Sequence, residues 1–196
     1  MPKKKSVQLA AESFQDEVDD IREFLEQAKR AKFDDDLEGW VYDYGIIRLH
    51  SAFETLVLEG LVGVINNDSS TLSETTGIGF PPHLTKSVCE YLVVGGGYFD
   101  FRGRDGLIRL LRQYVPADSY LLTTVSDAKY RTALVRMTTL RNFAAHRSKR
   151  AKAAAIKACS CNMSSAGAWL RRQGRLEAIM GSLHGLAQEL HDNAPY

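Results

Sequence analysis

Long apolar runs are absent from this sequence of 196 residues. No stretch reaches the roughly 18 apolar residues that a membrane-spanning helix needs. Lysines occupy positions 3 to 5, but no apolar segment follows them, so the pattern of a secretory signal is missing. We therefore expect a soluble protein that has no membrane partner and is located in the cytoplasm.

Cysteine is also scarce, and its spacing does not suggest a metal site. The three cysteines are Cys89, Cys159 and Cys161, and the last two have no second ligand pair at zinc-site spacing. The glycines at 95 to 97 lack the Gly-Lys-Ser/Thr ending of a nucleotide-binding P-loop. We expect three ordinary thiols, no metal and no other cofactor.

Acidic residues are missing from one long segment. Residues 129–175 contain 12 basic residues and no acidic one, whereas residues 12–38 contain 11 acidic and 4 basic residues. A basic block of this kind attracts polyanions, and Lys and Arg contacts to phosphate are the sequence-independent part of nucleic-acid binding. The alternative is a solvated face that pairs with the acidic N-terminal helix of the same chain.

The spacing of apolar residues predicts helix almost throughout. Steps of three and four residues predict helices near 6–32, 37–65, 82–94, 105–114, 125–146 and 169–192, and no segment alternates as a strand does. Residues 66–83 are rich in loop-forming residues, and residues 148–168 look mixed. The sequence predicts an all-α helical bundle, with an acidic amphipathic helix over 1–34 and a helical domain over 35–192.

The segment "LRNFAAHRSKR", residues 140–150, combines an arginine, an asparagine and a histidine. On one regular helix, Asn142 and His146 lie about 40° apart around the axis, whereas Arg141 and His146 lie about 140° apart. One regular helix therefore does not aim Arg141 and His146 squarely at one atom, although the long arginine side chain, or a helix that ends just after His146, would narrow the gap. A second copy of the helix, related by a two-fold axis, would bring them together, which predicts a homodimer with a shared cleft.

These residue types suit metal-independent cleavage of RNA. Histidine side chains give and take protons near neutral pH, arginine presents a planar cationic fork to phosphate, and asparagine can orient an imidazole. The 2′-hydroxyl would attack the adjacent phosphorus, with His146 as general base or acid and Arg141 stabilising the phosphoryl charge. DNA, which lacks that hydroxyl, would be spared.

The motif "RNFAAH" resembles the signature of the HEPN superfamily, an arginine and a histidine separated by four to six residues, with a polar residue after the arginine. The segments "IIRLHSAFETLVLEGLV", "YFDFRGRDGLIRLLRQYV" and "VRMTTLRNFAAHR" extend the resemblance over about residues 35–192. The chain looks most similar to HEPN domains of the RiboL-PSP type. The N-terminal acidic helix has no counterpart in this pattern.

The resemblance implies a usually dimeric helical bundle that acts as a metal-independent endoribonuclease in toxin–antitoxin, stress or phage-defence systems, held in check by an antitoxin or regulatory protein. Arg141 and His146 would be the catalytic pair, and Asn142 their polar companion. Some members of the superfamily are non-catalytic modules that bind nucleic acid or a protein, and this alternative stays open. A third possibility is a structural adaptor in which Arg141 and His146 satisfy local hydrogen bonds.

Further residues complete the candidate site. Glu54, one turn after His50, is either part of a helix-surface pair or an acceptor that supports Arg141. The loop "GGGYFDFRGRDG" mixes aromatic and basic residues; it either contacts RNA or tucks its aromatic rings into the bundle. The candidate RNA-binding residues are Arg147, Lys149, Arg150 and Lys152 beside the motif, and Arg102 and Arg104 in this loop.

Overall fold

Ten α-helices and no strand make up residues 5–195, the part of the chain that the computed structural model describes. The helices are α1 Val7–Arg30, α2 Asp35–Asn67, α3 Ser70–Thr76, α4 Lys86–Val94, α5 Gly103–Leu111, α6 Tyr120–Ser126, α7 Ala128–His146, α8 Lys149–Cys159, α9 Ala166–Leu170 and α10 Arg175–Asn193. The prediction of an all-α bundle is confirmed. None of these helices is both long and apolar enough to span a membrane.

The chain divides into two compact units. The first contains the described residues up to Phe14, residues Phe53–Asp127 and the described residues from Leu186 onward; the second contains Gln15–Ala52 and Ala128–Gly185. The helices α1, α2 and α10 therefore contribute residues to both units. The predicted division at residues 34 and 35 stays a prediction, and its first four residues lie outside the described part.

Apolar packing of α2, α3 and α4 forms one centre of the first unit. Its fully or nearly fully buried side chains are Val62, Ile65, Leu72, Leu84 and Cys89. A second group is a series of edge-to-face aromatic rings, in which Phe53 contacts both Phe14 and Phe101. Phe101 is buried, so this part of the glycine-rich loop does pack its ring into the bundle.

Two buried polar side chains fix the loop between α3 and α4. The Asn66 amide donates to the Leu84 carbonyl at 2.5 Å, and the Ser69 hydroxyl donates to the Pro81 carbonyl at 2.7 Å. Each hydrogen bond satisfies a group that would be costly to bury unpaired. The loop between residues 77 and 85 is thereby tied to the end of α2 and the start of α3.

The helix α7 is central to the second unit and packs against α8 and α9. Its buried side chains are Tyr130, Ala133, Leu134, Met137, Thr138, Leu140, Phe143 and Ala144. They follow one another at three- and four-residue steps, the spacing of a face that is directed into a core. Near the end of α7, Arg141 and Asn142 are half-buried and His146 is exposed.

Glycines allow α2 and α9 to approach closely within the second unit. A Cβ atom on Gly167 would collide with the Gly39 carbonyl group and lie 3.0 Å from the Asp43 carboxylate. Only a residue without a side chain fits at this contact. Six residues further along α2, Gly45 faces the Leu176 side chain at a distance that leaves little room for a Cβ.

Four helices lie wholly or mostly where the sequence predicts loop or mixed structure: α3, α6, α8 and α9. Three of them have five or seven residues, too few for an apolar period, and α8 carries alanines in place of large apolar side chains, so these helices depend on packing and capping. The Ser148 hydroxyl, for example, accepts from the Ala151 N–H at 3.1 Å and caps α8. The predicted closing helix over 169–192 is divided between α9 and α10.

The three cysteines differ in exposure. Cys89 and Cys159 are buried and Cys161 is exposed. Burial raises the pKa of Cys89 to about 11, and it also raises the pKa of Cys159. Both buried thiols therefore stay protonated at neutral pH and act as small apolar side chains.

The close contact between Gly167 and Gly39 predicts that alanine at position 167 destabilises the fold strongly. Gly167→Ala should lower the free energy of unfolding by several kcal/mol, of the order of 3, because a buried clash forces α9 away from α2. The measurement is urea unfolding followed by circular dichroism.

Gly181→Ala in α10 is the matched control. No atom lies within 4 Å of a Cβ built at this exposed glycine, so alanine should raise the free energy of unfolding by up to about 1 kcal/mol. Equal effects of the two substitutions would show that the close contact does not constrain the fold.

Candidate functional site

The motif residues lie at the C-terminal end of α7, where the chain turns sharply. The helix ends at His146, and Arg147 takes a left-handed backbone conformation with φ of 48°. The Arg147 N–H donates to the Phe143 carbonyl at 3.0 Å, which closes the last turn. Ser148 then caps α8, so Arg147 and Ser148 are the two residues between α7 and the first turn of α8, which is basic.

Arg141 and Asn142 contact one another. The Arg141 guanidinium donates to the Asn142 side-chain oxygen at 3.0 Å. Within residues 5–195, neither residue hydrogen-bonds to the His146 ring, and no carboxylate forms an ion pair with Arg141. The amide of Asn142 therefore orients the arginine, whereas the sequence suggested that it would orient the histidine.

Arg141 and His146 do not converge within one chain. Both belong to a regular helix, so they point in directions about 140° apart around its axis. The His146 side chain is exposed, and Arg141 is half-buried. Both side chains are accessible to a molecule that approaches the end of α7, but a single copy of α7 does not aim them at one atom.

Of the four basic residues predicted beside the motif, two line a cavity. Arg147, with a side chain that is 62% exposed, and Lys152 border a cavity of about 680 Å³ in the second unit. Lys149 and Arg150 are exposed on the first turn of α8 and do not line it. The predicted phosphate contacts thus divide between a cavity and an open helix surface.

The other predicted site residues belong to the first unit. The Arg104 guanidinium is largely buried and donates to the Ser126 carbonyl, so it holds the start of α5 to the end of α6. Arg102 is exposed, as is the nearby ring of Tyr98. Glu54 is half-buried on the part of α2 that belongs to this unit, whereas Arg141 belongs to the second.

Asp43 is the residue of the cavity that the sequence analysis missed. Its side chain is only 9% exposed. One oxygen accepts from the Gly167 N–H at 2.6 Å, and the other lies 3.4 Å from the Arg147 guanidinium. Burial raises the pKa of Asp43, although the Gly167 N–H and the Arg147 charge act in the opposite direction. A single aspartate within the apolar segment "WVYDYGII" was the available signal.

The remaining cavity wall combines an aromatic ring, hydroxyl groups and charges. Trp40 is 57% exposed and lies beside Asp43 on α2. Ser164 and Ser165 line the opposite part together with the exposed Arg172. The cavity therefore offers a flat apolar surface, a buried acceptor and cationic groups, a combination suited to a polar ligand with an aromatic ring.

An ion-pair cluster joins the two sides of this cavity. Arg171, only 14% exposed, contacts Asp35 at 2.7 Å and Glu38 at 2.8 Å. The hydrogen bond to Asp35 is the main reason that the pKa of Arg171 is raised, and the same bond lowers the pKa of Asp35. Arg171 is thus committed to holding α9 against the start of α2, which leaves Arg172 available at the margin.

Two further cations of the basic block surround a buried tryptophan. The guanidinium of Arg175 lies 4.5 Å from the centre of the Trp169 ring, and that of Arg136 lies 5.6 Å from it. Cation–π attraction stabilises both charges without a carboxylate. Part of the basic block therefore serves the fold of the second unit.

No group of three or more histidine, cysteine, aspartate or glutamate side chains within residues 5–195 is arranged to hold a metal ion. Comparisons with protein-family models, with curated proteins and with solved structures found no match. The candidate site is therefore defined by its own residues: the motif at the end of α7 and the adjoining cavity at Asp43.

The raised pKa of Asp43 predicts a pH-dependent stability difference between wild type and Asp43→Asn. Unfolding returns the aspartate pKa to about 3.8, so the folded state holds the proton more tightly. The Asp43 contribution to the free energy of unfolding is therefore greatest at acid pH and falls as pH rises through the folded pKa. Asparagine does not titrate, so the wild type should lose stability relative to the variant as pH rises above about 3.8 and through the folded pKa of Asp43.

Urea unfolding of the two proteins across this range measures the difference directly. Because every other titrating group is shared, the difference isolates position 43. A wild-type advantage that grows toward neutral pH would contradict the assigned direction, since it would mean that folding favours the ionised carboxylate.

Proposed function

We propose that this protein is a metal-independent endoribonuclease of the HEPN type that acts as a homodimer. The observation that supports it best is the position of Arg141 and His146 at the exposed end of a late helix, beside basic residues in a segment without acidic residues. Arginine and histidine at this spacing supply a phosphate-binding charge and a proton carrier.

The angular separation of the two side chains makes a dimer a requirement of the nuclease proposal. One copy of α7 directs Arg141 and His146 about 140° apart, so a centre with both groups would combine the ends of two α7 helices. The exposed Ala145, which follows the buried Ala144, leaves room for a second backbone or an RNA strand. Two-fold symmetry would then create two equivalent contributions to one cleft.

In the proposed reaction the ribose 2′-oxygen attacks the neighbouring phosphorus. A His146 imidazole removes the hydroxyl proton, and a protonated His146 from the other copy gives a proton to the departing 5′-oxygen. Arg141 donates to the phosphoryl oxygens as their negative charge increases. The products would be a 2′,3′-cyclic phosphate and a 5′-hydroxyl, and the hydrogen bond from Arg141 to Asn142 holds the guanidinium in place.

The second candidate is a non-catalytic HEPN-like module that binds RNA or a protein. The observation that favours it is the lack of convergence of Arg141 and His146 within a single chain. By resemblance, either form would act in the cytoplasm within a toxin–antitoxin, stress or phage-defence system and be restrained by an antitoxin or regulatory protein.

Cleavage of labelled RNA in EDTA tests the catalytic proposal. His146→Ala and Arg141→Ala should each lower the cleavage rate at least about a hundredfold, because each removes a proton carrier or a charge that the transition state needs. His83→Ala and Arg109→Ala, at exposed positions of the first unit, are the matched controls and should cleave as the wild type does.

Circular dichroism and sedimentation would establish that all variants stay folded and keep the same oligomeric state. Equal cleavage by the motif variants and the controls would disprove the catalytic assignment. RNA binding by a wild type that never cleaves would favour the non-catalytic module.

The exposed basic turn of α8 predicts a salt-dependent contribution to RNA binding. Replacing Lys149, Arg150 and Lys152 with alanine should weaken binding and reduce the slope of log affinity against log salt by about 2, since each phosphate contact contributes roughly 0.7 for a single strand. Fluorescence anisotropy with labelled RNA at several salt concentrations measures this slope.

A triple variant at the exposed residues Arg30, Lys86 and Arg112 removes the same number of positive charges elsewhere and serves as the control. If both triple variants change the slope equally, binding depends on total charge, and the proposed phosphate contacts of Lys149, Arg150 and Lys152 are wrong.

A further inference from the structure

We propose that the Asp43 cavity binds one guanine nucleotide, with the base on Trp40, its Watson–Crick edge on the Asp43 carboxylate, and the phosphate on Arg172 and Lys152. The inference deepens the proposed RNA cleavage and rests on it, because the nucleotide would belong to the RNA substrate. It names a base preference and a recognition pocket separate from the Arg141 and His146 pair.

The dimensions of the cavity suit a single nucleotide. Its volume of about 680 Å³ falls within the range of pockets that bind small molecules. It opens beside the turn at Arg147, directly after His146, so a base held there would leave its phosphate near the end of α7. A nucleotide next to the scissile linkage is therefore the segment of RNA that this cavity can reach.

Trp40 provides the surface on which a base can stack. Trp40 is 57% exposed and lines the cavity, so part of its flat apolar ring is open to a ligand. Stacking of a base on an aromatic side chain is tolerant of sequence. Trp40 thus accounts for affinity for a base but not for a preference among bases.

The Asp43 carboxylate provides the preference for guanine. An ionised carboxylate has acceptor sites on both oxygens, and the contacts to Gly167 and Arg147 leave some of them available. Guanine presents two adjacent donors, N1–H and the N2 amino group, which match the two oxygens of a carboxylate. Adenine, cytosine and uracil each place an acceptor beside the donor on that edge, and this acceptor would be repelled.

The charges at the margin suit a phosphate. Arg172 and Lys152 line the cavity and pair with no carboxylate among the described residues, whereas the neighbouring Arg171 is bound to Asp35 and Glu38. The exposed Asp36 also lies on the margin and opposes an anion on its side. The phosphate would therefore lie between Arg172 and Lys152, and it would compete with Asp35 for the charge of Arg172.

The test uses binding of guanosine, adenosine, cytidine and uridine 5′-monophosphates to the full chain carrying His146→Ala, so that no cleavage is required. Quenching of Trp40 fluorescence and calorimetry are the readouts, because the second tryptophan, Trp169, is buried. Guanosine monophosphate should bind roughly ten- to a hundredfold more tightly than the other three. Equal affinities, or no saturable binding at millimolar concentrations, would overturn the inference.

Three variants test the separate roles of Asp43, Trp40 and Arg172 in nucleotide binding. Asp43→Asn keeps an oxygen for the Gly167 N–H but presents an amide donor to the base, so the guanine preference should be lost. Trp40→Phe should remove the fluorescence signal while calorimetry still detects binding, and Arg172→Gln should weaken all four nucleotides equally. Trp40 and Arg172 are exposed, so these two variants keep the test decisive if Asp43→Asn fails to fold.

The two proposals fail in different ways. RNA cleavage by the wild type without any nucleotide preference would overturn the guanine pocket and leave the nuclease intact. Selective binding of guanosine monophosphate by a protein that never cleaves RNA would support the pocket and disprove the nuclease. Unchanged guanine selectivity in Asp43→Asn would overturn the role of Asp43.

Discussion

The second unit depends on how α9 is held against α2 at Asp43. The carboxylate accepts from the Gly167 N–H, and the absence of a side chain at Gly167 lets the backbone of α9 touch the backbone of α2 at Gly39. Arg171 strengthens the same junction through Asp35 and Glu38. This junction carries a buried charge at an energetic cost, and that charge forms part of the wall of the cavity beside the candidate site.

The basic segment has two functions that its composition does not separate. Arg136 and Arg175 surround Trp169, and Arg171 pairs with acidic residues at the start of α2, so these charges contribute to folding. Lys149, Arg150 and Arg172 are exposed and remain available to a polyanion. The segment therefore combines internal pairing with exposed cations, but the pairing joins the start of α2, and no ion pair among the described residues links the segment to α1.

Much of the fold could be predicted from sequence, because long helices repeat their apolar period many times. The helices α2 and α7 were predicted to within a few residues, whereas α3 and α6 are too short to show a period and α8 has alanines where a stripe of large apolar residues would stand. The motif at Arg141 is local and was visible in the sequence. Asp43 and Gly167 meet across 124 residues, and no spacing rule reveals such a contact.

The turn of two residues between α7 and α8 has an evolutionary consequence. Arg147 closes one helix with a left-handed backbone, and Ser148 immediately caps the next, so no spare residue separates them. An inserted or deleted residue there would change the orientation of α8, and with it the positions of its basic side chains relative to His146. In homologous chains these two positions should therefore accept other residue types more readily than an insertion or a deletion. Changes in length should instead accumulate in loops such as 77–85.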